Sequence, residues 1–492
     1  MIIKTSIEEI QNYLSDASNY KGFCDAVYFP ENEQDISEIL KNAFNNNVNV
    51  TISGNGTGLT GARVPQGGII ISMGKLNRIL DINENDYYAV IEPGVILSEF
   101  QEKVREHNLL YPPDPTEKNC FIGGTVATNA SGEKTFKYGP TRNYVLELDI
   151  VLPDGDLLKL KRGEFVADGY KLAIKTATGR DITIQVPEYK MPATKNAAGY
   201  YCKRDMDALD LFIGSEGTLG VISKIKLKLV PLPEKLISSV VFFDQEINAL
   251  NFIAKARDIS INARLINNSK CIEALALEYF DERALNFLRS NNPQIPEDSK
   301  AGVWYEQEVN LENEDTIFKE WTDLIFEFHG DEESSWFALT QEDNKKIQEF
   351  RHSISEKINE YIASRNLKKI GTDVAVPDSK FENLYFYAKK LVEEEKLDFV
   401  IYGHAGNSHI HLNILPKNQE EYDTGINIYR EICRKAVELG GTISAEHGIG
   451  KLKTNYFLLM YGQDIIDKMI GLKKIFDPKM ILGRGNIFDI ST

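Results

Sequence analysis

The chain is expected to fold as a two-lobed α+β protein. Short β-branched runs alternate with amphipathic helical runs in both halves. Between them, Pro231-Leu232-Pro233-Glu234 stops helix and strand alike. A length of 492 residues also exceeds what a single core normally organises, so the expected units are residues 1–233 and 234–492.

Composition narrows the class. A hydrophobic share of 42% and a charged share of 26% suit a folded protein, and no window approaches the ~18 uninterrupted apolar residues of a membrane span. The net charge is −17, and residues 306–333 carry eleven acids against Lys319 alone. That field argues against nucleic acid and would repel anionic lipid, so membrane association would need a partner or a local patch. Five scattered cysteines with no CxxC pair argue against a disulfide framework and against an iron–sulfur cluster in this chain. Glu8 and Glu9 stand where a signal peptide would be apolar, and the expected location is the cytoplasm.

In order along the chain, Ile36, Ile39, Leu40, Ala43 and Phe44 have helical spacing, and residues 48–53 read as a strand entering a glycine-rich turn. Strand-like runs follow at 68–72 and 87–92, then a helix at 97–107 with Ser98 as its cap. Residues 111–139 are crowded with glycine, alanine and proline, which suggests backbone approaching a ligand. Beyond the proline break, strands at 236–243, 271–279 and 302–309 alternate with helices at 247–257, 283–290 and 316–328. The last third holds YGHAGNSHIHLNI, a helix at 420–439, and SAEHGIGK.

Gly56-Thr57-Gly58-Leu59-Thr60-Gly61 spells GxGxxG, and Asp81 sits about twenty residues on, as a dinucleotide fold would have it. A Rossmann fingerprint must open a helix, however, and here Pro65, Gly67 and Gly68 break the chain before another strand. Two readings remain: a plain glycine turn, or a nest of backbone N–H groups for a pyrophosphate. His404, His409 and His411 lie within eight residues, and Glu446 and His447 follow thirty-five later, a set suited to a divalent ion if the loops meet. Spacing alone pairs His409 with His411 on one strand face and sets His404 off it.

The ordered motifs SGNGTGLTG, PPDPT, IGGTVATNASG, YGPTRN, IVLPDG, KNAAGY and GSEGTLGVI resemble those of flavoproteins of the vanillyl-alcohol oxidase type, also called PCMH-type. More narrowly, the chain resembles the FAD-linked D-2-hydroxy-acid dehydrogenases, a family that includes D-lactate dehydrogenase, D-2-hydroxyglutarate dehydrogenase and the glycolate oxidase catalytic subunit. The resemblance implies an FAD-binding first lobe and a cap and substrate lobe after it. Ser53, Gly54, Asn55, Gly56, Thr57 and Gly58 would meet the pyrophosphate, and Pro113, Thr116, Gly123, Gly124, Asn129, Ser131, Gly132, Gly217 and Ile222 would line the cofactor. None of the seven histidines lies in the glycine loop, so FAD is expected to be non-covalent.

The family pattern GHxGDGNxH implies metal ligands at His404 and His411, with Glu446 of AEHGIG as the third and zinc, manganese or iron as the ion, zinc foremost. Asn407, Ser408 and His409 depart from it, which leaves His409 either supporting a ligand or exposed. Gly406-Asn407-Ser408 would turn the chain and bring His404 round. The implied chemistry is oxidation of a D-2-hydroxy acid, with His447 as base, a metal polarising the hydroxyl, and flavin N5 accepting the hydride. Arg351 in FRHSISE resembles the family's carboxylate clamp, Ser355 its hydroxyl companion, and Asn413 a further polar contact. Gly371 and Thr372 stand where D-2-hydroxyglutarate enzymes carry a lysine, which favours a D-lactate-like monocarboxylate over D-2-hydroxyglutarate or glycolate; the altered 407–409 triplet leaves a catalytically silent flavoprotein subunit as the alternative. Electrons would leave to a quinone, an electron-transfer flavoprotein or an iron–sulfur subunit. A homodimer is compatible with this reading.

Overall fold

A computed structural model describes residues 1–338, 340–365 and 367–489. The first lobe holds two larger sheets beside two two-stranded pairs, Lys171–Lys175 with Asp181–Gln185 and Leu109–Leu110 with Val230–Pro231. Ile2–Lys4, Ala26–Phe29, Ile69–Ser72 and Val50–Ser53 form one, in that spatial order, with the last three parallel. The helix Glu33–Asn46 starts where the Asn32 side chain accepts the Asp35 N–H at 2.9 Å. It buries Ile36, Ile39, Leu40 and Ala43 against Val50 and Ile71, each worth about 1.5–3 kcal/mol for a large side chain. The second sheet is antiparallel, ordered Ile79–Asn83, Tyr88–Ile91, Val221–Lys228, Val145–Val151 and Leu157–Lys161. Among the described residues, helices are joined with strands in both lobes, as the alternating pattern predicts.

Lys235–Phe243 opens the eight-stranded sheet of the second lobe, directly after the proline break. At its centre Ala301–Val309 and Ala274–Asp281 pair antiparallel, and every residue of the latter is buried. Phe399–Gly403 lies beside it and forms a hairpin with His409–Ile414. Val374–Ala375 pairs with the same hairpin strand, and this brings residues 373, 404, 409 and 411 together. The chain then returns to the first lobe: the Val50 N–H donates to Ile481 O at 2.8 Å and Gly483 N–H to Val50 O at 2.9 Å. Part of the segment 234–492 is therefore built into the first lobe.

Three local expectations shift. Ser98 is not the cap. The helix Leu97–Arg105 begins at Ile96, whose bridge to Phe121 sets the chain direction, and the Ser98 N–H donates to Lys118 O. The strand expected at 271–279 runs Ala274–Asp281, with a register shift between Ala274 and Ala276. The small-residue stretch contains a helix, Ile122–Thr128, whose two glycines and β-branched residues hide it from propensity reasoning.

Candidate active site

A cavity of 320 Å³ lies against the first lobe, with Glu446 and His447 of the second on its wall. Gly54, Asn55, Gly56, Thr57, Gly58, Thr116, Gly123, Gly124, Ser131, Gly132, Gly217 and Ile222 line it. Ser53, Pro113 and Asn129 stand behind that lining. The Ser53 hydroxyl donates to Gly54 O, Pro113 O accepts from Gln101, and Asn129 Oδ1 accepts the Arg142 N–H at 3.0 Å.

The glycines divide by what a side chain would meet. A Cβ on Gly124 would find no atom within 4 Å, and one on Gly54 would find only Phe121, at 4.0 Å. Backbone here faces open cavity, a cradle that an extended anionic cofactor fits. On Gly132 a Cβ would sit 1.9 Å from Asp114 O, and on Gly123 2.5 Å from Pro93. Those two permit backbone to pack on backbone, so the crowding of small residues serves two ends.

Sequence reasoning missed Glu216 on the same wall. Its carboxylate accepts the N–H groups of Ile449 and Gly450, both at 2.7 Å, and so holds the loop that follows His447 against the first lobe. Burial pushes this carboxyl up to about 7, against the pull of those two N–H donors.

Beside the cavity, donor atoms of His404, His409, His411 and Glu446 lie within 4.8 Å of one another. The turn at Ala405–Asn407, with Ser408 at φ 52°, carries His404 round to the histidines of the next strand. His411 Nδ1 is 2.9 Å from Thr372 O, an acceptor only, so Nδ1 holds the proton and Nε2 presents its lone pair. His404 Nδ1 lies 2.6 Å from Glu278 Oε1, and its Nε2 is 3.3 Å from Glu446 Oε1. A carboxylate behind a histidine that faces a ligand site is the usual backing of a metal-binding imidazole. Histidine nitrogens and a carboxylate suit zinc or a similar divalent ion, and His404, His411 and Glu446 could hold one.

His409 is fully buried, so the exposed-ring reading fails; its Nε2 is 3.2 Å from Asp373 Oδ1. Burial pushes its pKa down to about 4, which keeps the ring neutral. Asp373 is the hub of this region. Its oxygens accept the backbone N–H groups of Glu446 and His447 at 3.1 Å, the Ser444 hydroxyl at 2.8 Å and Lys453 Nζ at 2.7 Å. His447 Nδ1 is 3.2 Å from its Oδ2. Burial opposes ionisation of Asp373, but His447 and Lys453 hold its carboxyl well below the usual range. Burial likewise opposes the Glu446 charge, yet His404 and Lys195 hold that carboxyl low.

Arg351 stands on the helix Gln341–Ala363 and is 2% exposed. Its Nε and Nη2 both reach Glu278 Oε2 at 2.8 Å, so Glu278 lies between Arg351 and His404. Ser355 Oγ is 3.1 Å from the Tyr402 hydroxyl, and the buried Asn413 donates to His411 O at 3.2 Å. Glu278 escaped sequence reasoning, although a glutamate inside the apolar run ALALEYFD was a usable signal.

Residues 24–161 match the FAD binding domain family, and residues 248–487 match the C-terminal domain of FAD linked oxidases. The glycolate oxidase subunit GlcD of Bacillus subtilis (strain 168) is 31% identical over 97% of this chain and 92% of its own length. D-lactate dehydrogenase of Anaerostipes hadrus is 29% identical over 92% of this chain and 87% of its own. D-2-hydroxyglutarate dehydrogenase of Stutzerimonas stutzeri (strain A1501) is 27% identical over 94% and 90%. Among solved structures, p-cresol methylhydroxylase with substrate bound superposes with a TM-score of 0.72 at 14% identity, covering 100% of this chain and 94% of its own. The 4-ethylphenol oxidase of Gulosibacter chungangensis gives 0.69 at 17%, covering 99% and 94%. The fold is thus the vanillyl-alcohol-oxidase, or PCMH-type, one. With that fold, the glycine-cradled cavity and the two matched domains, the chain belongs to the FAD-linked oxidoreductases of the glycolate oxidase, D-lactate dehydrogenase and D-2-hydroxyglutarate dehydrogenase type.

Proposed function

We propose that this protein oxidises a D-2-hydroxy acid of the D-lactate kind to the 2-oxo acid, using non-covalent FAD and a divalent ion, zinc foremost. The observation that carries this reading is the junction of the glycine-lined cavity with the histidine–carboxylate cluster, which share Glu446 on one wall. When bound, FAD supplies the two-electron acceptor, and the ion supplies Lewis acidity for the hydroxyl. His404, His411 and Glu446 would hold that ion.

The remaining chemistry falls to side chains. His447 lines the cavity and takes the hydroxyl proton. Asp373 faces its Nδ1 and so turns Nε2 toward the substrate, as an orienting carboxylate does for a catalytic imidazole. Two of the Arg351 donors are engaged by Glu278, so Arg351 acts on a substrate carboxylate only through those that remain. Ser355 supports the Tyr402 hydroxyl, and Asn413 supports the backbone of His411. Electrons then pass to a separate acceptor: a quinone, an electron-transfer flavoprotein or an iron–sulfur subunit.

No helix among the described residues is long and apolar enough to cross a membrane. We place the enzyme in the cytoplasm, with any membrane contact made through that acceptor.

The reading is tested with metal-loaded protein and an artificial dye acceptor. D-lactate should yield stoichiometric pyruvate and L-lactate none. Equal turnover of both enantiomers would remove the D-specific claim, and no turnover of any 2-hydroxy acid would remove the whole reading.

A further inference from the structure

We propose that Lys195 binds the carboxylate of the substrate and thereby restricts the site to 2-hydroxy acids over their neutral analogues; this rests on the function proposed above. Lys195 belongs to KNAAGY in the first lobe, yet its side chain is 3% exposed and its Nζ contacts Glu446 Oε1 in the second. Its backbone is fixed on both sides. The Thr194 hydroxyl donates to Val376 O at 3.2 Å, Asn196 Oδ1 accepts from the Thr442 hydroxyl at 2.6 Å, and the Ala197 N–H donates to Ser444 O at 2.9 Å. The ammonium is therefore held at the cluster by the same segment, residues 442–446, that carries Glu446.

Charge balance gives it a task. Of the other cations here, Arg351 is engaged by the buried Glu278, and Lys453 by the buried Asp373. Lys195 and Glu446 neutralise each other as a pair. With a divalent ion on Glu446 and two neutral histidines, Lys195, Glu446 and the ion together would carry two excess positive charges, a local excess that favours a counter-anion. A 2-hydroxy acid brings a permanent negative charge on the carbon next to its hydroxyl. An ammonium with three rotatable donors can turn from Glu446 to that carboxylate, beside the hydroxyl for which a bound ion would supply Lewis acidity. An amide or a plain alcohol brings no such charge.

The test uses FAD- and metal-loaded enzyme with Lys195→Met and Lys195→Arg. Metal and FAD content, calorimetric binding of the 2-oxo acid product, and anaerobic flavin reduction by the D-acid and by its primary amide are all measured. Lys195→Met should weaken 2-oxo acid binding and raise KM for the D-acid by roughly 30–100-fold, the loss of a desolvated charge-assisted contact. Reduction by the amide should fall far less than reduction by the acid, metal and FAD should stay bound, and Lys195→Arg should recover most of the acid binding. If acid and amide suffer alike, or if Lys195→Met loses the metal, Lys195 is only the counter-ion of Glu446 and the proposal fails. If the wild-type enzyme neither binds the 2-oxo acid nor is reduced by any 2-hydroxy acid, the functional reading beneath it fails instead.

Discussion

At His447 an imidazole on the cavity wall points Nδ1 at a buried carboxylate, and the proposed function gives its other nitrogen to the substrate. Replacing His447 with Ala should lower kcat by about 10²–10⁴-fold, the usual worth of a positioned base, while the flavin spectrum of the purified protein stays intact. Retained turnover would reassign the base. Glu278 acts one step back, through His404. Glu278→Gln keeps the shape but weakens the backing of that imidazole, and metal affinity measured by competition with a chelator should fall roughly 10–100-fold. At this scale much was legible. His404, His411, Glu446 and His447 stood out because a motif marks them. Glu278, Asp373 and Lys195 did not, because each earns its position only when distant strands and lobes meet. Lys195 sits inside KNAAGY and Asp373 directly follows Thr372, but nothing in their spacing says which carboxylate or imidazole they will face.

The helix Ile122–Thr128 and the loops on either side hold the cofactor cavity open, and their glycines separate two jobs. Gly124→Leu places a side chain where no atom stands within 4 Å, so the protein should fold, show a near-wild-type thermal transition, and purify without flavin colour. Gly132→Ala drives a methyl into Asp114 O and should instead lower stability, by about 1–3 kcal/mol or more, with flavin loss following from that damage. The reverse pattern would mean that the cavity is not where the cofactor sits. Elements with strong periodicity, such as Glu33–Asn46 and Gln419–Glu438, were readable to within a few residues. The short helix at 122–128 was not, since its glycines oppose helix propensity and tertiary packing overrides them.

Across the whole molecule, Glu216 of the first lobe grips the loop that carries Glu446 and His447 into the cavity. Burial raises its carboxyl from 4.5 to about 7, so the folded protein holds that proton more tightly than the unfolded chain does. Its contribution to stability is therefore greatest below about 4.5 and is lost as pH rises toward 7, up to about 3 kcal/mol for a shift of this size. Urea midpoints taken between pH 5 and 8 should fall more steeply for the wild type than for Glu216→Gln; parallel curves would show that Glu216 does not titrate in this range. The proline break at residues 231–234 does precede the first strand of the eight-stranded sheet, Lys235–Phe243. The return of residues 481–483 to pair with Val50 was not readable, because no local pattern tells a C-terminal segment which lobe it will join.

The most direct test is anaerobic: the visible spectrum of metal-loaded enzyme is followed while D-lactate is added, and pyruvate is counted against flavin. Bleaching of the oxidised-flavin band by the D-acid, with one 2-oxo acid formed per flavin reduced and no bleaching after the metal is stripped, is the expected result. A bound flavin that no 2-hydroxy acid reduces, or one reduced equally well without metal, would contradict the proposed chemistry.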